Sequence, residues 1–193
     1  MRNKDMAEET TELVQSFLGG DTQAFNRLVL LYQTKIYNLC LNYVKAPEEA
    51  NDLAQDIFIT AYRALPKLRE QNKFGAWLYQ IAVNHCRNRY KRLSRRGFFT
   101  NRSLDDPDTY LQVTGDESPE THLEKNDIIQ SVRASIDALG GAEKEILILR
   151  DLQELSYDEI SGILDIPLGT VKSKLNRARS SLKDRLKKIQ HLL

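Results

Sequence analysis

Lys172, Ser173, Lys174, Asn176, Arg177 and Arg179 put ammonium, guanidinium, hydroxyl and amide donors within one short stretch of chain. From Lys172 to Lys188 there are eight basic residues against one acid, Asp184. Such a local excess suits a polyanion. At 3.6 residues per turn, Val171, Leu175, Ala178 and Leu182 fall on one apolar stripe, which leaves Ser173, Asn176, Arg177 and Ser180 on the opposite face. The N-terminal part of such a face is what a recognition helix presents to base edges. Ser173, Asn176 and Arg177 are therefore expected to read bases, with Lys172, Lys174 and Arg179 on the flanks reaching phosphates. A basic amphipathic helix can also meet a membrane surface or an acidic partner, so the charge run alone leaves those readings open.

The elements before this stretch favour DNA. Ser156 can cap the free amides of an opening helical turn while Glu159 reaches back to the Ser156 amide, the reciprocal pattern of a capping box. Ile160, Ile163 and Leu164 give that helix an apolar face. Asp165-Ile166-Pro167 interrupts it, because the residue before a proline is pushed out of the helical region and proline fits a helix's first turn. Helix, short turn and basic helix together predict a helix-turn-helix.

No other chemistry is signalled. The chain carries no phosphate-binding glycine loop, no dinucleotide turn, and no nucleophile and base at recognisable spacing. Cys40 and Cys86 are far apart, and His85, His122 and His191 are scattered without metal-ligand spacing. The expectation is a protein that is not an enzyme and holds neither metal nor cofactor. Its 193 residues carry a formal net charge of only +1 and are 41% hydrophobic, so charge is segregated along a chain able to build modest cores. No apolar run approaches the roughly 20 residues of a membrane span, and Met1 to Thr11 is too polar for a signal peptide. A cytoplasmic protein without membrane insertion is expected.

Apolar periodicity is helical throughout, which predicts an all-α fold of two small helical domains joined by a flexible linker. A short helix over 11–18 ends at Gly19-Gly20, and Asp21 is placed to cap a helix that runs to about Val44. Pro47 opens a third helix with Ala50, Leu53, Ala54, Ile57, Ala61 and Leu65 on one side. Glu48, Glu49, Asp52 and Asp56 make another side of it acidic. A fourth helix, Phe74 to about Leu93, begins with aromatics, among which Trp77 and Ile81 keep an inward register. It ends in Arg87, Arg89, Lys91 and Arg92. Proline and acidic signals replace periodicity between Gly97 and Pro119. Helices resume near His122, and Gly140-Gly141 separates them from a helix over 142–152. The domains expected are an N-terminal segment and first helix (1–20), a helical domain (21–96), an acidic linker (97–119) and a helix-turn-helix domain (120–193).

Three ordered motifs carry a family resemblance. They are Asp52-Leu-Ala-Gln55-Asp56-Ile-Phe58; Phe74-x-x-Trp77-Leu78-Tyr79-x-Ile81-Ala82-x-Asn84; and Leu155-Ser-Tyr-Asp-Glu-Ile followed by Pro167-x-Gly169-Thr170-Val171-Lys172. From about Gly20 to Lys188 the chain resembles an extracytoplasmic-function sigma factor, in which region two and region four are joined by a linker. The resemblance implies that Asp52, Gln55, Asp56 and Phe58 mark the helix that docks on the clamp helices of the polymerase largest subunit. It implies that the loop from Pro66 to Lys73 and the following helix hold the minus-ten element, with Leu68 at the pocket and Lys73, Asn84, Arg87 and Lys91 along the strand. Extruding a base costs a few kcal/mol, which stacking at roughly 1–3 kcal/mol per base and backbone contacts offset. In region four it places Lys172, Ser173, Asn176 and Arg177 at contacts for the minus-thirty-five element. The helical-face argument selects Ser173, Asn176 and Arg177 independently as base readers.

The resulting expectation is a dissociable subunit that binds core RNA polymerase, reads two promoter elements, opens the start site and leaves catalysis to the polymerase. An anti-sigma factor is the further partner that the resemblance implies. Two rivals remain at this point. A stand-alone helix-turn-helix regulator would bind DNA without polymerase, and a helical adaptor would support no promoter-dependent transcription.

Overall fold

In a computed structural model of the chain, the structure describes residues 2–99, 132 and 134–190. The chain forms two compact units. Among the described residues there is no strand, and helices account for both cores.

The first unit packs four helices: α1 (Arg2–Leu18), α2 (Gln23–Val44), α3 (Pro47–Ala64) and α4 (Phe74–Arg95). Helix α2 is central and meets each of the other three. Its stripe of Leu28, Tyr32, Ile36, Leu39 and Cys40 is buried, as are Leu13 and Val14 of α1, Leu53 and Ile57 of α3, and Phe74, Leu78 and Ala82 of α4. Each fully buried large aliphatic or aromatic side chain contributes about 1.5–3 kcal/mol of hydrophobic stabilisation, which offsets the ordering of the chain. Asp21 caps α2, accepting the Gln23 amide at 2.9 Å. Pro47 occupies the first turn of α3, with Glu48 and Glu49 beside it at the positive end of the helix dipole. The loop between α3 and α4 is two 3-10 turns, Leu65–Lys67 and Gln71–Lys73, with Leu68 extended between them.

Helix α1 starts nine residues earlier than periodicity predicts. Thr10 is buried, donates to the Met6 carbonyl at 2.7 Å and lies 3.2 Å from the Tyr32 hydroxyl. Tertiary contact with α2 therefore holds a turn that has no apolar pattern of its own. Trp77 and Ile81 are half-buried rather than in the core. The inward stripe of α4 runs through Phe74, Leu78, Ala82 and Cys86, one helical position to the side.

The second unit contains α5 (Gly141–Leu147), a π turn (Ile148–Leu152), α6 (Tyr157–Leu164) and α7 (Leu168–Gln190). The single helix expected over 142–152 thus changes pitch at Ile148. Ile146, Leu147, Ile148 and Leu149 are all buried, and the Gln153 amide closes the turn on the Ile148 carbonyl at 3.0 Å. Four consecutive buried residues cannot share one face of a regular helix, and widening the turn lets each find the core. Residues 100–131, which hold most of the expected linker and the start of the helix near His122, lie outside the described residues.

Candidate nucleic-acid interface

The helix-turn-helix is pinned at each joint. Ser156 accepts the Glu159 amide at 3.2 Å while the Glu159 carboxylate accepts the Ser156 amide at 2.7 Å, so the capping box is closed in both directions. At the far end, Asp165 adopts the left-handed conformation at φ 54°, which aspartate tolerates better than most residues. The Ser161 hydroxyl then donates to the Ile166 carbonyl at 2.6 Å. Pro167 accepts the Thr170 and Val171 amides at 2.8 and 3.1 Å and so starts α7. These bonds define the turn from residues close in sequence.

On α7, Val171, Leu175 and Ala178 are buried and Leu182 is half-buried. Lys172, Ser173, Asn176, Arg177 and Ser180 are exposed, and Lys174 is half-buried on the other flank. Ser173 also donates to the Thr170 carbonyl at 3.1 Å, leaving its oxygen lone pairs as acceptors. Arg177 and Asn176 offer the forked geometries that pair with guanine and adenine edges in a major groove. Arg179 differs from the other cations. Its Nε and Nη2 donate to the two oxygens of Asp151 at 3.2 and 2.5 Å. That hydrogen bond raises the guanidinium above its ordinary pKa, with burial opposing and Tyr157 adding to the rise. The expectation that Arg179 reaches a phosphate therefore meets a partner already in place.

In the first unit, Lys73, Trp77, Gln80, Asn84, Arg87 and Lys91 recur at steps of four and three, so they lie along one face from the start of α4. Asn84 and Lys91 are exposed and Arg87 is half-buried. Lys73 pairs with Glu70 at 2.6 Å, both side chains being more than 60% exposed. Such a surface pair is worth about 0–1 kcal/mol and opens readily to a phosphate. Trp77 lies 5.7 Å from Phe74 with rings tilted by 46°, a half-buried apolar surface at the head of the polar stripe. Leu68 is half-buried in the preceding loop.

Helix α3 presents Asp52, Gln55 and Asp56 outward, with Phe58 half-buried. A groove of about 410 Å3 runs between α2 and α3, lined by Gln33, Tyr37 and Asn51 together with Gln55 and Phe58. Sequence reasoning missed the α2 wall, because those residues read only as the outer side of a core helix. It read Arg89 only as part of a basic helix end and missed its tie to α3. Arg89 is 13% exposed at its side chain, pairs closely with Glu49 and reaches Asp56 at 3.3 Å, so one guanidinium ties the acidic helix to α4. The separation of 40 residues between Arg89 and Glu49 left no local signal. His85 lies 3.3 Å from the Thr60 hydroxyl, and Cys86 faces Cys40 at 3.8 Å, both buried and neither in a disulfide. Among the described residues, no group of three or more His, Cys, Asp or Glu could hold a metal ion, and no helix is long and apolar enough to cross a membrane.

A bundle with an acidic outer helix, a polar stripe on its last helix and a second unit ending in a helix-turn-helix defines a DNA-reading transcription factor. Residues 28–96 match sigma-70 region 2, and residues 129–182 match sigma-70 region 4. The chain is 36% identical over 181 residues to the RNA polymerase sigma-H factor of Pseudomonas aeruginosa, covering 91% of this chain and 92% of that protein. It is 34% identical over 186 residues to the ECF RNA polymerase sigma-E factor of Haemophilus influenzae, covering 94% and 98%. In fold it is similar to the sigma factor RpoE of Bartonella quintana, solved in complex with the anti-sigma factor NepR. There the TM-score is 0.62 at 23% identity, over 86% of this chain and 98% of that one. The chain belongs to the extracytoplasmic-function sigma factors.

Proposed function

We propose that the chain is a dissociable promoter-specificity subunit that binds core RNA polymerase in the cytoplasm and directs it to paired promoter elements. The observation that carries this reading is the outward donor face of α7, held opposite a buried stripe by a closed capping box and a proline-started turn. Ser173, Asn176 and Arg177 read base edges of the minus-thirty-five element, with Lys172 at its N-terminal edge and Lys174 on a phosphate. Lys73, Asn84, Arg87 and Lys91 follow the minus-ten strand, and Leu68 grips the extruded base by apolar contact. Asp52, Gln55, Asp56 and Phe58 dock on the polymerase, which supplies all of the chemistry. The first domain runs over 21–96 with residues 1–20 supplying its first helix, the second over 120–193, and 97–119 is the acidic connection.

Two weak DNA-reading modules gain joint affinity only when polymerase fixes their separation. The free chain therefore binds promoters poorly, and an anti-sigma factor silences it by covering the polymerase-docking and DNA-reading faces. The complex of RpoE with NepR supports this by analogy of fold. Gel filtration of the chain with core polymerase tests the reading. Co-elution, together with a footprint over two separated elements that neither component gives alone, is expected. A footprint from the chain alone, unchanged by polymerase, would identify a stand-alone regulator instead.

A further inference from the structure

We propose that Arg179 is a positioning residue and not a phosphate contact: Asp151 holds its guanidinium away from the DNA backbone and so keeps sequence-independent DNA binding low. The inference rests on reading α7 as the helix that enters the promoter. Arg179 lies two turns beyond Lys172 on the same flank of α7, a place from which a basic side chain would reach a phosphate. Yet the edge of the guanidinium that grips a phosphate, Nε with Nη2, is the edge occupied by Asp151 at 3.2 and 2.5 Å. The two side chains are 46% and 34% exposed, but the pair is bidentate, unlike the single ammonium contact of Lys73 with Glu70.

The acid is itself held in place. Asp151 stands in the π turn, next to Arg150, whose Nη1 donates to the Leu155 carbonyl at 2.8 Å. The Arg150 guanidinium also lies 5.1 Å from the centre of the Tyr157 ring, a cation–π contact. The chain therefore fixes the turn to the start of α6 through Arg150 and to the middle of α7 through Asp151. This arrangement ties α7 to the elements before it, beside the buried stripe of Val171, Leu175 and Ala178, and it removes one cation from the flank. Phosphate contacts carry no sequence information, so one fewer of them weakens binding to all DNA while leaving Ser173, Asn176 and Arg177 to discriminate.

Binding of the full-length chain to a random-sequence duplex, measured by fluorescence anisotropy over a series of salt concentrations, tests this. Each phosphate contact steepens the plot of log affinity against log salt by about 0.9. Asp151→Asn is expected to steepen the slope by about one contact. Arg179→Ala and Arg179→Gln keep the wild-type slope, and Asp151→Asn combined with Arg179→Ala returns to it. Exchanging the pair, Asp151→Arg with Arg179→Asp, also keeps it. A slope shallower by about one contact in Arg179→Ala would overturn the proposal by making Arg179 a phosphate ligand. So would a slope unchanged in Asp151→Asn, or a gain that persists in the double variant, which would trace to the lost acid alone. Lys174→Ala separates the two levels of the argument. A shallower slope there with no response to Asp151→Asn rejects the proposal alone, whereas a slope that neither Lys174→Ala nor Arg177→Ala changes rejects the DNA reading with it.

Discussion

Replacing Asp52 and Asp56 together by alanine separates docking from stability, because the structure gives the two acids little folding work. Asp52 is exposed, and Asp56 contributes only the longer arm of the Arg89 bridge, at 3.3 Å with 56% of its side chain exposed. An exposed ion pair is worth about 0.2–1 kcal/mol. For a domain of this size that corresponds to a melting temperature lower by at most about 4–8 °C. Glu49 remains as the closer partner of Arg89. Under the proposed docking role, each lost charge-assisted hydrogen bond costs about 1.5–3 kcal/mol, so the double variant is expected to weaken core binding by at least about tenfold. Glu49→Ala is the counterpart: it removes the closer partner of a guanidinium that is 13% exposed and leaves only Asp56 at 3.3 Å, costs about 1–3 kcal/mol in folding and leaves core affinity within a few-fold. Circular dichroism melts combined with competition for fluorescent core polymerase measure both quantities. If the double variant loses its helicity while Glu49→Ala does not, or if its core affinity is unchanged, the assignment of those acids to docking is wrong.

Arg177→Ala is expected to reduce discrimination at the upstream element by about 1–3 kcal/mol, while Lys174→Ala weakens binding to every sequence alike; competition between a selected element and its scrambled version resolves the two. Ser156→Ala opens the capping box and lowers stability by about 1 kcal/mol, visible as an earlier thermal transition with no change in core polymerase binding. Gly75→Ala places a methyl 3.0 Å from the Tyr32 hydroxyl, which also meets Thr10. A buried ring cannot move aside freely, so the first unit loses about 1–3 kcal/mol in denaturant titration.

Local signals carried the parts of the fold that local chemistry controls. Ser156 with Glu159, Pro47 at the head of α3, Asp21 before α2 and Pro167 before α7 each satisfy or remove helix-end groups within a few residues, so types and spacing are enough to see them. The buried stripes of α2, α3 and α7 were legible for the same reason. What escaped depends on distant partners. The early start of α1 rests on Thr10 meeting Tyr32, 22 residues away. The tie from Arg89 to Glu49 spans 40 residues and that from Arg179 to Asp151 spans 28. The pitch change at Ile148 follows from four apolar residues in a row, a pattern that periodicity reads as a buried helix of any kind. Arg179 shows the consequence for the site: its position on the helix predicts a phosphate contact, and the pairing with Asp151 on which the proposed positioning role rests is invisible in the sequence.

Promoter-dependent transcription tests the central claim most directly. Core RNA polymerase would be given a pool of templates with randomised upstream sequence, with and without this chain, and the transcripts sequenced. Selective initiation only with both present, from templates sharing two elements at a fixed separation, is the predicted result. Initiation that is equally unselective with and without the chain, while the chain alone retains one DNA sequence from the same pool, would contradict it.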